Sequence, residues 1–321
     1  MQVTIEINDL PYEAKVALAK DERTSPELLA ALATDKDPQI RRLVAWHSST
    51  PSEVLDKLAN DGISVVRWAV AENENTFAKT LANLANDINV NVRSAVGVNK
   101  NTKAETLAML ASDKEGWVRQ AVALNGNTPV DALFALATNK EECVRCEVVK
   151  NENAPIKLLA MLSQDKHWLV RETVALNERI SSEVLVALSK DKEERIRGAV
   201  ASNENTPVET LDLLATDEDS LVRCAVAVNK NTSVETLVML ANDEDHRVRK
   251  AVARNENAPA DILTTLAQDK NAYIRYEVAK NPNTPYKTLV MLSHDTEFWV
   301  GKNAKKLLRE HKKKEKNSIE R

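Results

Sequence analysis

Apolar and polar positions along this chain repeat every 26 residues. Leucine stands at 29, 55, 81, 107, 133, 159, 185, 211, 237, 263 and 289, and each is followed three residues later by another leucine, from 32 to 292. Arginine stands at 41, 67, 93, 119, 145, 171, 197, 223, 249 and 275, with Lys15 one period before and Gly301 one period after. No insertion interrupts the count. With each arginine as position zero, the leucine columns fall at +14 and +17, a spacing that puts both on one side of a helix. Agreement among copies within one chain reports what the structure asks of every repeat.

Each repeat predicts two short helices. The first opens at Thr-x-x-Glu, as in Thr50 to Glu53, Thr102 to Glu105, Thr206 to Glu209 and Thr232 to Glu235. That spacing predicts a capping box, in which hydroxyl and carboxylate each satisfy an orphan amide. Pro51, Pro129, Pro207 and Pro285 follow the threonine directly, where a missing N–H costs a helix nothing. The second helix carries Val-Arg-x-Ala-Val-Ala and ends near Asn73, Asn99, Asn125, Asn151, Asn203, Asn229, Asn255 or Asn281. Asparagine tolerates the left-handed conformation that closes many helices, so this column is expected to supply C-caps.

At 100° per residue, positions −1, 0, +2, +3, +4 and +6 of the second helix share an arc of about 200° and form its packed side. A single repeat cannot bury that side alone, so stability is expected to grow by stacking. The arginine column is best read as structural, paired with the aspartate six residues earlier (Asp61 to Arg67, Asp217 to Arg223) in an inter-repeat ladder. The fold class is all-α: about eleven two-helix repeats, with residues 1–14 as an N-terminal cap, 15–300 as the repeat array and 301–321 as a capping helix with a basic tail.

The pattern Leu-x-x-Leu-Ala-x-Asp-x5-Val-Arg-x-Ala-Val-Ala-x-Asn-x-Asn-Thr-Pro resembles the leucine-rich repeat variant family over about residues 10–300. The resemblance implies short α- and 3₁₀-type helices stacked into a right-handed α-α superhelix. HEAT repeats are similar in style, but their units are longer. Some members of the variant family carry a cysteine-rich iron–sulfur segment ahead of the repeats. Residues 1–14 contain no cysteine, and no cluster is carried over.

Composition narrows the function classes. The hydrophobic fraction of 43% supports a packed core, while 4% aromatics and six glycines argue against a barrel, a sandwich or a nucleotide-binding α/β domain. The net charge is −4, with no global basic field. The last 21 residues hold nine Lys or Arg against three Glu. Three cysteines cannot form an all-paired secreted framework, and the start MQVTIEINDLPYEAK lacks a signal peptide's basic and apolar regions, so a cytoplasmic protein is expected. No apolar run approaches the ~18 residues of a membrane helix.

Positions −2, +1 and +5 vary freely and turn away from the packed arc, yet many are apolar. They place Trp46, Trp68, Trp117, Leu124, Leu169, Leu176, Leu221, Tyr273, Tyr276 and Trp299 on one candidate partner-binding face, beside Val65, Val98 and Val228. Position −2 borders the packed arc, so Trp117, Leu169 and Trp299 have a half-buried alternative, whereas Trp68 and Tyr276 at +1 stand clearest of it. In the later repeats this face holds Arg195, Arg247, Lys250, Arg254, Lys280 and Lys302 without an acid, an alternative site for nucleic acid. A solvated surface is the plainer reading of that charge.

No metal site, cofactor or small-molecule substrate is implied. Cys143-x-x-Cys146 is a single pair, and Cys224 lies three repeats from Cys146, too far to share a ~2.3 Å zinc–sulfur bond. Asp217/Asp219 and Asp243/Asp245 lack the glycine and closing glutamate of a calcium loop and read as helix caps. The five histidines share no column. Glu277, in a core-alanine position beside Tyr273 and Tyr276, is the one candidate acid for a glycosylase-like chemistry. The leading expectation is a non-catalytic scaffold for a protein or peptide, and the alternative is nucleic-acid binding through the basic aromatic later repeats.

Overall fold

The computed structural model describes the backbone of residues 7–319 and the side chains of residues 7 and 9–310. Residues 1–6 of the expected N-terminal cap, and the side chains of the basic tail beyond residue 310, lie outside the described residues. Two compact bodies are present, Met1–Leu162 and Ser163–Arg321. Both are all-α, and no strand occurs among the described residues.

In the first body a 3₁₀ turn, Ile7–Asp9, precedes six longer helices that alternate with six seven-residue ones, from Tyr12–Lys20 and Pro26–Leu32 to Glu142–Lys150 and Ile156–Leu162. The second body alternates in the same way, from Trp168–Ala175 and Ser182–Leu188 to Tyr286–Leu292 and a last helix, Phe298–Ile319. Within each body, successive longer helices pack side by side and each short helix bridges its neighbours. A seven-residue helix is too short to persist alone in water, so burial holds it. The +14 leucines are fully buried and the +17 leucines nearly so, and burying one such side chain contributes about 1.5–3 kcal/mol. The +4 column is small (Ala71, Gly97, Ala123, Ala201, Ala227) and wholly inside its helix stack. A Cβ on Gly97 would stand 3.0 Å from that of Ala121, which shows how close the neighbouring helices come.

Three columns act differently from their sequence-based expectations. Thr50, Thr102, Thr206 and Thr232 do not cap the short helices, which begin later, after Pro51, Lys103, Pro207 and Ser233. Their hydroxyls instead donate backward to the carbonyls of Val44, Val96, Val200 and Val226 at 2.5–2.6 Å, satisfying the orphan acceptors at the end of the preceding long helix. The prolines are therefore N-cap residues with extended backbone.

The asparagines are not left-handed caps either, since no described residue has positive φ and Asn99 sits at φ −62°, ψ 125°. Asn99 Nδ2 donates to the carbonyls of Ala71 and Asn73 at 2.7 and 3.1 Å, and its Oδ1 accepts from the Asn101 amide at 2.8 Å. Asn73, Asn125, Asn229, Asn255 and Asn281 repeat the arrangement. Such a side chain knits one repeat to the previous one. In the second column of the motif, Asn75 and Asn127 donate to carbonyls 27 residues back. His47 takes the asparagine position once, with Nε2 2.9 Å from the Asp21 carbonyl oxygen.

The arginine column is the inter-repeat ladder expected, with a different acid. Arg67 pairs with the carboxylate of Asp87, 20 residues later, and touches the earlier Asp61 only through its backbone carbonyl. Arg93–Asp113, Arg171–Asp191, Arg197–Asp217, Arg223–Asp243, Arg249–Asp269 and Arg275–Asp295 follow suit. Lys15 replaces arginine in the first rung, 2.7 Å from Asp35. Arg119 departs from the pattern: Asn139 stands where the aspartate belongs, the partner is Glu141 at 3.1 Å, and Arg119 Nε is buried without a hydrogen bond.

Candidate functional site

The long helices bury their −1, +3 and +4 positions and turn −2 and +5 outward, because those columns lie across the helix from the packed seam. Trp46, Leu124, Leu176, Leu221 and Tyr273 are more than half exposed, with Val98 and Val228 beside them in column +5. Trp117 is 72% exposed, so its boundary position does not bury it. Leu169 and Trp299, at the same position, are half-buried.

Trp68 and Tyr276 reverse the expectation that +1 stands clearest of the core: both are half-buried. The cause is ring packing between repeats. Trp68 meets Trp46 edge to face with centroids 5.1 Å apart, and Tyr276 lies 5.1 Å from Trp299. In the first body, Val65, Trp68 and Val98 line a half-open groove of about 430 Å³, with Glu72, Asn91 and Ser94 as its polar edge. Trp117, Leu124 and Leu221 stand outside these aromatic contacts.

In the second body, Tyr273 and Tyr276 both face Trp299, at 5.2 and 5.1 Å. Lys250 Nζ lies 5.7 Å over Tyr273, and Lys280 Nζ 5.2 Å over Tyr276. Columns −2, +1 and +5 carry no acid in these repeats, but the +2 core column brings one beside them. Glu277 sits among Lys250, Arg254 and Lys280, which neutralise it and explain how a carboxylate occupies a core-alanine column. Arg195 stacks 4.5 Å over Trp168, and Arg247 grips Asp245 and donates to Ser220 at 2.9 Å. Lys302 lines a groove of about 500 Å³ with Phe298, Lys305, Lys306 and Arg309. Asp219 and Asp245 are helix N-caps, accepting from the Leu221 and Arg247 amides, while Asp217 and Asp243 receive arginines. Cys143 is exposed and Cys146 buried, so the pair does not share a surface. Burial pushes the half-buried Cys224 thiol up.

Each body also exposes an apolar column that the sequence reading did not single out. On the short helices Met109, Met161, Leu213, Met239 and Met291, all at +16, are exposed. Their signal was present, since +16 stands about 200° around the helix from the buried +14 leucines.

Residues 194–219 and 246–271, two whole periods, match the family model described as leucine rich repeat variant. The remaining repeats carry the same leucine, arginine and asparagine columns. In those two periods the chain is similar to the leucine-rich repeat variant family. A solved leucine-rich repeat variant with a novel repetitive structural motif is 27% identical over 74% of this chain and 84% of that one, with a TM-score of 0.47. Kap95p, in a complex with RanGDP, is 10% identical over 92% of this chain and 54% of its own, with a TM-score of 0.48. Kap121p bound to Nup53p is 12% identical, over 93% of this chain and 41% of its own, with a TM-score of 0.42. No curated protein matches the sequence. Among the described residues, no helix is long and apolar enough to cross a membrane.

Proposed function

We propose that this protein is a non-catalytic scaffold that binds a protein or peptide through the outward columns of its long helices. One observation carries the reading: within each body, large apolar side chains (Trp46 and Trp117 in the first, Leu221 and Tyr273 in the second) stay exposed on the face that the repeat design leaves variable. Desolvating such anchors is what drives most interface affinity. The repeated arginine and asparagine columns, by contrast, pair between neighbouring repeats and hold the stack together. The exposed Cys143 thiol suits a reducing, cytoplasmic setting.

The test is capture from native lysate with and without nuclease, followed by identification of the bound protein and repetition with Trp117→Ala. Nuclease-resistant capture that weakens in the variant, at unchanged stability, supports the scaffold. Nuclease-sensitive capture would instead favour the nucleic-acid alternative through Arg195, Arg247, Lys250, Arg254, Lys280 and Lys302. Two observations weigh against that alternative, because Arg195 is engaged by Trp168 and Arg247 by Asp245.

A further inference from the structure

Two successive long helices of the second body, His246–Arg254 and Ala272–Lys280, bring three cations around one carboxylate, and Phe298–Ile319 packs against the second of them. Glu277 Oε1 stands 3.8 Å from Lys250 Nζ, and Oε2 stands 3.9 Å from both Arg254 Nε and Lys280 Nζ. Each separation is an ion pair rather than a hydrogen bond, so all three cations keep donors to spare. The Glu277 side chain is 11% exposed, whereas those of Arg254 and Lys280 are 64% and 51% exposed. One acid against three bases leaves two positive charges in excess, and the excess sits on the exposed heads. Tyr273, 63% exposed, and the half-buried Trp299 form an apolar floor beside them.

We infer that this patch docks an acidic peptide segment, with its carboxylates on Arg254, Lys280 and Lys250 and an apolar side chain on Tyr273 and Trp299. The inference rests on the scaffold reading and names the chemistry of one partner. Charge complementarity selects an acidic occupant, and a guanidinium fork such as Arg254 matches a carboxylate in two-point geometry. A single-stranded nucleic acid fits less well. It would need open ring faces for its bases, and here both tyrosines pack on Trp299 while Lys250 and Lys280 lie over them. Glu277 then acts as an internal competitor that holds the cations together until a partner's carboxylates arrive.

Fluorescence anisotropy with an end-labelled peptide of Glu, Leu and Phe, its Gln-for-Glu counterpart and a single-stranded oligonucleotide tests the inference on the full chain. The acidic peptide should bind best and weaken with salt. Arg254→Glu with Lys280→Glu should weaken it roughly tenfold or more, and Glu277→Gln should tighten it by removing the competitor. Arg254→Gln with Lys280→Gln repeats the first comparison should the reversal variant not fold. Failure of the acidic peptide to bind, indifference to both double variants, or tighter binding of the oligonucleotide would overturn the proposal. If the acidic peptide fails while capture of a protein through Trp117 persists, the scaffold reading stands and only the acidic-segment proposal falls.

Discussion

Arg67 and Asp87 join adjacent repeats through a two-point ion pair, with Nε and Nη2 of the guanidinium donating to the two carboxylate oxygens at 2.6 and 2.9 Å. The third donor, Nη1, meets the Asp61 carbonyl at 2.7 Å, so one side chain holds both its own helix entry and the next repeat. Arg67→Ala strands a nearly buried carboxylate, and a cost of about 3–5 kcal/mol is expected. Arg67→Lys keeps the charge but loses the fork and should fall between. Denaturant melts of the three proteins give the order.

The weak rung offers the opposite experiment. Asn139 already accepts the Glu141 amide through Oδ1 at 3.1 Å, as the aspartates of other repeats accept theirs, and Arg119 Nε lies orphaned nearby. Asn139→Asp should therefore stabilise the protein, by about 1 kcal/mol. A melting temperature that stayed level or fell would show that Glu141 already completes this rung.

The aspartate column sets the response to acid. Burial by itself raises the Asp87 carboxyl, but the hydrogen bond from Arg67, the Asn89 amide and the charges of Arg67 and Arg93 outweigh it and hold the group below the ordinary carboxylate range. Asp113, Asp191, Asp217 and Asp269 balance the same way, and at Asp295 the bond from Arg275 is the largest influence. A depressed folded value means stability that is complete above the unfolded pKa of about 3.9 and disappears as pH falls through the folded values. Melting temperature should be level above about pH 5 and drop steeply below about pH 4.

The asparagine column should tolerate neither loss nor charge. Asn99→Ala leaves the Ala71 and Asn73 carbonyls without their buried donor, at a cost of about 1–3 kcal/mol. Asn99→Asp is nearly isosteric, yet its oxygen would face those carbonyls. The new carboxyl would be favoured in its protonated form, so the penalty should grow as pH rises above about 4 and shrink below it. Chemical denaturation of both variants across that interval separates shape from charge.

The aromatic side chains divide by exposure. Trp117→Ala should stay within about 0.5 kcal/mol of the parent protein while reducing partner capture. Trp68→Ala removes the edge contact with Trp46 and should cost about 1–3 kcal/mol. Thermal melts alongside binding assays distinguish the two, and a Trp117→Ala variant that unfolded would remove the exposed face on which the scaffold rests.

The 26-residue period, the all-α class, the buried leucine columns and the outward place of Trp46, Trp117, Leu124 and Leu221 were legible in the sequence, because helical periodicity is a local property of the chain. Tertiary structure alone decided who pairs with whom. In an array of fixed period, the aspartate six residues before an arginine and the one 20 residues after it belong to the same column, so no inspection of the columns can choose between them. Packing makes the choice, and it favours the later carboxylate. The same holds for Asn99, whose partners are 26 and 28 residues away, and for Trp68 and Tyr276, which only the ring of a neighbouring repeat turns from exposed to half-buried. Glu277 among three cations is a relation between neighbouring helices too, set by side chains whose proximity arises when the repeats stack.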